Sequence, residues 1–304
     1  IGLSDAVIAN PNNVQAAFEQ YDKTRRNTVE MIQYAAIVSL DWFENMDRHM
    51  QHSFQQFAFG CMTRSKKVTY ENLRLRDSSF TDKVLNEFLE TSNSQLPTSN
   101  SAAFTPFKIR ELELPNRIVM APMGQYSATD GFVSDWHLVH YGSRATGGVG
   151  LIITEMTAIS ETGRITEGCA GIYNAEQLNQ WKKITNFIHN NTETKIGIQL
   201  GHSGRKGATK KPWEGIGPME TPWNLISASP IQFNENFSIP KEMTLEDIAE
   251  IKAQFVQATK NADEAGFDMI ELQTHHGFLL ASFLSPLTNI RTDEFGGSIE
   301  NRLK

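Results

Sequence analysis

Two histidines and a glutamine stand where a strand-like run ends, near the carboxyl end of the chain. Residues 269–273 read MIELQ, and Thr274, His275, His276 and Gly277 follow them. Imidazole and amide groups can donate hydrogen bonds to an oxygen on which negative charge develops. Polar donors at the carboxyl end of a parallel strand, before a loop that opens a helix, are the arrangement of a barrel active site.

Only one of the two neighbouring histidines is expected to face such a site. Side chains that leave a strand in succession point in opposite directions. Gln273 and His275 share a side within the strand, but the turn at Gly277 can redirect His276 inward. The spacing leaves both alternatives open. A metal site is not predicted, because no second pair of histidine, cysteine or carboxylate ligands stands at a matching spacing.

Other candidate groups also follow strand-like runs. The stretch APMGQYS, which begins at Ala121, supplies backbone amides beside Gly124, and it suits either a flat aromatic cofactor or a tight turn. Gln199 carries a donor and an acceptor, as a pyrimidine edge requires or as a satisfied core amide would show. His202 and Arg205 could face an anion, cap a helix or be solvated.

These groups need strands and helices to position them, and from Phe104 onward short apolar strands alternate with amphipathic helices. The alternation predicts an α/β fold with a parallel sheet. The predicted strands are 117–123, 150–156, 195–201 and 269–273, and the predicted helices are 134–147, 175–190 and 244–266. In one barrel the strand ends would place residues 121–126, 155–157, 199–205 and 273–278 around a single mouth.

A doubly wound sheet is the competing architecture. It is disfavoured because no G-x-G-x-x-G motif follows a predicted strand. The stretch 204–241, rich in Pro, Trp and Gly, is too long for an ordinary loop and is predicted to form a lid or pocket wall.

The front of the chain is predicted to be helical. Residues 11–50 carry apolar side chains at the spacing of one helix face, with a helix start at Asn10 and Pro11. Arg25 and Arg26 interrupt this apolar stripe, so that either a helix or a broken helix is expected. The whole front segment, residues 1–90, has few apolar runs for a core of its own. Residues 91–103, TSNSQLPTSNSAA, are predicted to be a linker.

Charge and composition predict an acidic, globular enzyme. The 304 residues carry a formal net charge of -7, whereas nucleic-acid binding needs a surplus of Lys and Arg, so that partner is not expected. No run approaches the ~20 apolar residues of a membrane helix, and we expect a cytoplasmic location without a membrane partner.

Cys61 and Cys169 predict neither a disulfide framework nor a metal cluster. Because the chain starts at Ile1 and stops at Lys304, we expect it to be part of a longer protein.

Six strings from residue 104 to 304 resemble the old yellow enzyme family in order and spacing. They are LPNRIVMAPMGQYS, DWHLVHYGSRATGGVGLIITE, GRIT, KIGIQLGHSGRK, AGFDMIEL and HGFLLASFLSPLTNIRTDEFGGSIENR, and the bacterial branch with dienoyl-CoA reductases is the most similar. The resemblance implies an FMN-containing TIM (β/α)8 barrel with NAD(P)H as reductant. Only the first four βα units would be present, and the FMN phosphate site would lie beyond Lys304.

The resemblance also implies roles for individual residues. Gln199 would bind the pyrimidine edge of the flavin, and Tyr126 would help to close the substrate pocket. Gln273 and His276 would bind the substrate carbonyl oxygen and stabilise the enolate. The residues along the flavin ring would be Ala121, Pro122, Met123, Gly124 and Met156.

Three positions depart from the family pattern. The family usually has Cys or Thr where Gly124 stands and His where Gln273 stands. Phe278 stands where the family has a tyrosine that donates a proton, and a phenyl ring cannot do so. Protonation would then come from water, another residue or the substrate.

The front third resembles the carboxyl-terminal end of an FAD-dependent aromatic hydroxylase, through FEQYDKTRRNTVEMIQ, SLDWFENMDRHM and QFAFGCMTRSKKVTYENLRLRD. A hydroxylase fused to an ene-reductase is the layout of the salicylyl-CoA 5-hydroxylase and 2-aminobenzoyl-CoA monooxygenase/reductase type. This layout implies FAD in an upstream region, an aromatic or unsaturated acyl-CoA substrate, and a homo-oligomer. The alternatives are a stand-alone dienoyl-CoA or enone reductase, and an inactive truncated chain with a role in assembly.

Overall fold

The computed structural model describes residues 2–91, 102–215 and 217–304. Residues 2–91 belong to one compact unit, and the residues from 102 onward belong to a second. Most of the predicted linker, residues 92–101, lies outside the described residues, and Ala102–Phe104 forms a short 3-10 turn at its end.

The first unit is helical, as predicted, but its long helix starts later than expected. The side chain of Asn13 accepts a hydrogen bond from the amide of Ala16 at 3.0 Å and caps the helix, while Asn10 and Pro11 lie in the preceding turn. Its helices are α1 (Gly2–Ala9), α2 (Val14–Glu44), α3 (Met46–His49), α4 (Phe54–Thr63), α5 (Tyr70–Arg76) and α6 (Ser78–Thr91).

Of the two predicted alternatives, a continuous helix and a broken one, the structure shows a continuous α2 at Arg25 and Arg26. The helix runs through both residues, and the Arg26 guanidinium lies 2.5 Å from the Asp22 carboxylate one turn earlier. A basic residue four positions after an acidic one supports a helix. Large apolar side chains of α2, such as Phe18 and Ile32, are exposed.

The second unit contains one four-stranded parallel sheet, flanked by smaller pairs of strands. The sheet consists of Val119–Met120, Leu151–Ala158, Lys195–Gly201 and Met269–Leu272, each paired with the next in chain order, which is the order of a barrel rather than of a doubly wound sheet. A closed eight-stranded barrel is not formed by the described residues and stays a prediction. The strands are β1 (Phe107–Ile109), β2 (Leu112–Leu114), β3 (Val119–Met120), β4 (Leu151–Ala158), β5 (Lys195–Gly201), β6 (Ile226–Ser227), β7 (Lys241–Glu242) and β8 (Met269–Leu272).

The helices of the second unit follow the predicted alternation closely. The side chain of Asn174 caps α8, and that of Thr244 caps α9, and such caps define where a helix begins. The helices are α7 (Asp135–Thr146), α8 (Ala175–Asn191), α9 (Leu245–Glu264), α10 (Leu279–Leu284) and α11 (Ile299–Arg302).

The strand predictions hold best at the centre of the sheet. The predicted range 195–201 is the range of β5. The predicted strand 117–123 was too long, because only Val119 and Met120 pair with β4 and Pro122 has no amide hydrogen to donate to a ladder. Strand β8 ends one residue before Gln273, and the antiparallel pair β1-β2 was not predicted.

The core lies between the sheet and helices α7 to α9. Every residue of β4 is buried, as in a parallel strand covered on both faces. Trp181 of α8 is fully buried and donates from its indole to the Gly171 carbonyl at 3.1 Å. Its ring packs against those of Tyr141 and Phe267, with centroids 6.1 and 5.5 Å away.

No helix among residues 2–91, 102–215 and 217–304 has the length and apolar character needed to cross a membrane.

Candidate active site

Two glutamines meet at the carboxyl ends of β5 and β8. The Nε2 group of Gln273 donates to the Oε1 atom of Gln199 at 3.1 Å, and Nε2 of Gln199 donates to the Glu271 carboxylate at 2.5 Å. Both glutamines are almost fully buried. The sequence predicted these two residues from separate strand ends, and the structure brings them into direct contact.

Gly201 lets two predicted site residues approach each other. A Cβ atom at this position would stand 2.8 Å from Sδ of Met156 and 2.9 Å from Cβ of Gln273, closer than real Cβ contacts. Met156 is buried and pairs in register with Gln199. Met156, Gln199 and Gln273 therefore form one cluster at the strand ends.

The donor set at Gln199 fits a flavin. A glutamine amide has two N–H donors and two oxygen lone pairs, and the contacts with Glu271 and Gln273 use one of each. The donor and acceptor that remain are what the pyrimidine edge of an isoalloxazine ring requires. Gln199 therefore keeps one donor and one acceptor with which it could bind the pyrimidine edge of a flavin, the role predicted for it.

The loop after β3 carries the other predicted flavin contacts. Pro122 is half-buried, whereas Ala121, Met123 and Gly124 are exposed. A Cβ atom on Gly124 would stand 3.0 to 3.2 Å from atoms of the Tyr126 ring. A side chain at this position, where the resemblance suggests Cys or Thr, would require the Tyr126 side chain to shift by a few tenths of an ångström.

Tyr126 and His276 share an uncommon backbone conformation. Their φ angles are +50° and +60°, in the left-handed region that residues other than glycine rarely occupy. Such outliers concentrate at functional sites. Burial is the main factor that raises the pKa of Tyr126, and the Cys169 thiol and the Glu155 carboxylate raise it further.

A buried carboxylate that the sequence analysis did not single out holds this loop. Glu155 of β4 is 1% exposed, and its Oε2 atom accepts a hydrogen bond from the backbone amide of Gln125 at 3.0 Å. Its Oε1 atom accepts one from the Tyr141 hydroxyl at 3.3 Å and lies 3.3 Å from Nε2 of His137. Glu155 thus anchors the loop that carries Gly124 to the buried interior.

The turn after β8 presents His275, His276 and Phe278. Both histidines are exposed, and their rings meet edge to face with centroids 4.2 Å apart. Phe278 is 7% exposed, and its ring centroid lies 6.0 Å from that of His276. Burial lowers the pKa of His276, and the nearby His275 and Lys206 lower it further.

Lys206 is a second group that the sequence analysis missed. Its ammonium donates to the backbone carbonyl of His276 at 2.8 Å and lies 4.4 Å from the Phe233 ring centroid. The basic residues of the string GHSGRK indicate a charged turn. The partner of Lys206 lies 70 residues away in the sequence, so the contact could not be predicted from the string.

His202 and Arg205 lie beneath the surface of this region. Burial lowers the pKa of His202 to about 4, and its Nδ1 atom accepts from the Gly204 amide at 3.0 Å. Arg205 donates to the carbonyls of Ile231 and Gln232 at 3.2 and 3.1 Å. Arg205 therefore ties down the predicted lid segment, and an anion partner for it stays a prediction.

Neither cysteine is paired, since Cys61 and Cys169 are both free thiols. Within the part of the chain that the structure describes, no group of three or more His, Cys, Asp or Glu side chains is arranged to hold a metal ion.

A comparison with protein families matches residues 102–304 to the NADH:flavin oxidoreductase / NADH oxidase family. The chain belongs to this family. FMN as the flavin and NAD(P)H as the reductant are consistent with it. The match begins within a few residues of position 104, where the strand and helix alternation starts, and it includes the glutamine pair and the turn after β8.

Individual proteins agree with the family assignment. An NADH:flavin oxidoreductase of Gibberella zeae is 44% identical over 214 residues, which are 68% of this chain and 52% of the relative. An NADPH dehydrogenase of Listeria monocytogenes is 43% identical over 206 residues, or 67% of this chain and 57% of the relative. The structure of Old Yellow Enzyme from a Pichia species is similar with a TM-score of 0.59 at 34% identity, covering 68% of this chain and 54% of that one. The chain spans about half the length of the relatives that it matches.

Proposed function

We propose that the protein uses FMN to transfer a hydride from NAD(P)H to an unsaturated carbonyl compound. The observation that carries the proposal is the buried Gln199–Gln273 pair at the strand ends, close in sequence to the His276 turn. A flavin site and a site for a carbonyl oxygen would then be joined by one hydrogen bond. This proposal includes the inference that the four strands are half of a (β/α)8 barrel.

The residues around the pair have distinct tasks in this proposal. Ala121, Pro122, Met123, Gly124 and Met156 would lie along the flavin ring, and Gln199 would bind its pyrimidine edge. Bound FMN would supply the hydride. Gln273 would donate its second N–H, together with the imidazole of His276, to the substrate oxygen, because both donors stabilise charge that develops there. Tyr126 would close the pocket.

The test is anaerobic and uses the natural full-length protein. Its bound flavin should be released as FMN, should be reduced by NADPH or NADH, and should be reoxidised when 2-cyclohexenone is added. A protein that retains no FMN, or whose reduced flavin is reoxidised only by oxygen, would contradict the proposal.

We further propose that residues 1–90 are the tail of an FAD-dependent hydroxylase and that the substrate is an aromatic acyl-CoA dearomatised by that hydroxylase. Support comes from the separate helical unit and from a family match that begins only at residue 102. Acid release of the cofactors should then yield FAD and FMN in similar amounts. FMN alone would favour a stand-alone enone reductase, and absence of both flavins would favour an assembly role.

A homo-oligomer is part of the same proposal. The exposed apolar side chains of α2, including Phe18, Ile32 and Ile37, support it, and light scattering on the full-length protein tests it.

A further inference from the structure

Addition of a hydride to one carbon of an enone leaves the neighbouring carbon in need of a proton. A protein with the proposed function, on which this inference rests, must supply that proton. Proton delivery needs a positioned acid whose pKa suits the working pH. Phe278 next to His276 has no proton to give, and the raised pKa of Tyr126 makes it a weaker acid than an ordinary tyrosine.

Lys206 is the ammonium that reaches this turn. Its Nζ atom lies 2.8 Å from the His276 carbonyl and 5.5 Å from the Phe278 ring centroid. A Cβ atom added to Gly277 would meet Cδ of Lys206 at 3.6 Å, so the lysine lies along the whole turn. An ammonium has three N–H donors, and the carbonyl of His276 uses one of them.

The contacts of the Lys206 ammonium hold it at the turn after β8. It donates to the His276 carbonyl and lies over the Phe233 and Phe278 rings, 4.4 and 5.5 Å from their centroids, and it forms no ion pair with a carboxylate among the described residues. The charged and titratable groups that face it are Arg205 on its own turn and His275 and His276 from the turn after β8. Burial lowers its pKa, and the positive charge of Arg205 lowers it further.

We propose that Lys206 donates the proton that completes reduction of the substrate. As the hydride forms a C–H bond at the β-carbon, the electron pair of the double bond moves toward the carbonyl oxygen. The return of that pair to the α-carbon forms a second C–H bond, while an N–H bond of Lys206 breaks and leaves a neutral amine. Water then reprotonates the amine, so that no further oxidant or reductant is needed.

The kinetic test follows reoxidation of the reduced FMN protein by 2-cyclohexenone in a stopped-flow instrument. In the wild type the rate should fall as the pH rises through the pKa of Lys206, because only the ammonium form can donate. Lys206→Met should be about 10²-fold slower or more, the scale of a lost general acid, and should lose this pH dependence. Lys206→Met with Phe278→Tyr should recover part of the rate.

Lys206→Arg separates an acid from a mere positive charge. Arginine keeps a cation that can bind the His276 carbonyl, but it does not release its proton in proteins, so it should be as slow as Lys206→Met. Lys260→Met, which removes an equal charge from an exposed position of α9, is the matched control and should behave as the wild type. A wild-type rate and pH profile in Lys206→Arg would overturn the proposal.

The proposal and the function on which it rests fail in different ways. If the enone does not reoxidise the reduced flavin of the wild type at all, the proposed function is wrong. The assignment of Lys206 as the proton donor is then wrong as well. If the wild type is reoxidised and all Lys206 variants match it, only the assignment of Lys206 is wrong.

A readout without turnover checks the same residue. Labelling of Lys206 by an amine reagent, followed by mass spectrometry across a pH series, should begin at lower pH than labelling of the average exposed lysine. Labelling at the same or higher pH would contradict a lysine made more acidic by its surroundings.

Discussion

The inner strands β4 and β5 differ from the flanking strands β3 and β8 in burial. Every residue of β4 and all but one of β5 are buried, whereas β8 is only partly buried and β3 pairs over two residues. The inner strands hold Met156 and Gln199 in a fixed core. The flanking strands end in exposed turns that carry Gly124 and His276, where a cofactor and a substrate can approach.

The largest expected effect would come from breaking the core behind the inner strands. Trp181→Ala should lower the free energy of unfolding by about 3–5 kcal/mol, because it leaves a cavity and an unpaired Gly171 carbonyl. Leu272→Ala, at a position of β8 that is 51% exposed, should cost less than about 1 kcal/mol. Urea unfolding followed by circular dichroism measures the free energy of unfolding of both variants. Equal losses would contradict the difference in burial between the inner and the flanking strands.

A pH-dependent effect should come from His202, which follows β5. Its pKa of about 4 is below the ~6.5 of an unfolded histidine. Between these two pH values the histidine is therefore protonated in the unfolded chain but neutral in the folded protein. Stability from this residue is therefore complete above about pH 6.5 and falls by up to about 3 kcal/mol as the pH drops to about 4.

His202→Gln should flatten the loss of stability in that window relative to the wild type, because glutamine does not titrate. Urea midpoints between pH 4 and 7 provide the comparison, with His52→Gln at an exposed position as the control. Parallel curves for His202→Gln and the wild type would show that His202 is not held neutral by burial.

Gly201 tests how tightly the inner strands hold the glutamine pair. Gly201→Ala should cost about 1–3 kcal/mol through overpacking, since its Cβ atom would overlap Met156 and Gln273. Gly60→Ala in α4, where the new Cβ would meet the Trp42 ring at an ordinary 3.5 Å, should be neutral or stabilising. A neutral Gly201→Ala would indicate that the strand ends adjust freely.

The sequence predicted most where burial and periodicity agree. The range 195–201 matches β5 because Ile196, Ile198 and Leu200 recur at every second position, which is the period of a strand. Helices α8 and α9 could be predicted because Asn174 and Thr244 are typical caps. The end of β3 could not be predicted from the apolar residues alone. It is set by Pro122, which cannot donate to the ladder, and by the hydrogen bond that holds the following loop to Glu155.

The candidate site was predicted in its members but not in its contacts. Gln199 and Gln273 follow from strand ends, yet their hydrogen bond depends on the register of β5 and β8. Glu155 was predicted only as part of the strand end 155–157 and without a role, because one carboxylate within an apolar strand carries no spacing signal, and its partners Tyr141 and His137 belong to another element. The contact of Lys206 with His276 depends on two turns meeting, which periodicity does not reveal.

The central claim is that the turn after β8 binds a substrate oxygen beside a flavin, and one measurement tests it most directly. The rate at which 2-cyclohexenone reoxidises the reduced FMN protein should fall about 10²-fold or more in His276→Ala, the size of a lost oxyanion donor. Reduction of the flavin by the nicotinamide should change much less. If His275→Ala instead gives the large loss, the neighbouring histidine is the donor, and if neither variant slows reoxidation, the turn after β8 is not the substrate site.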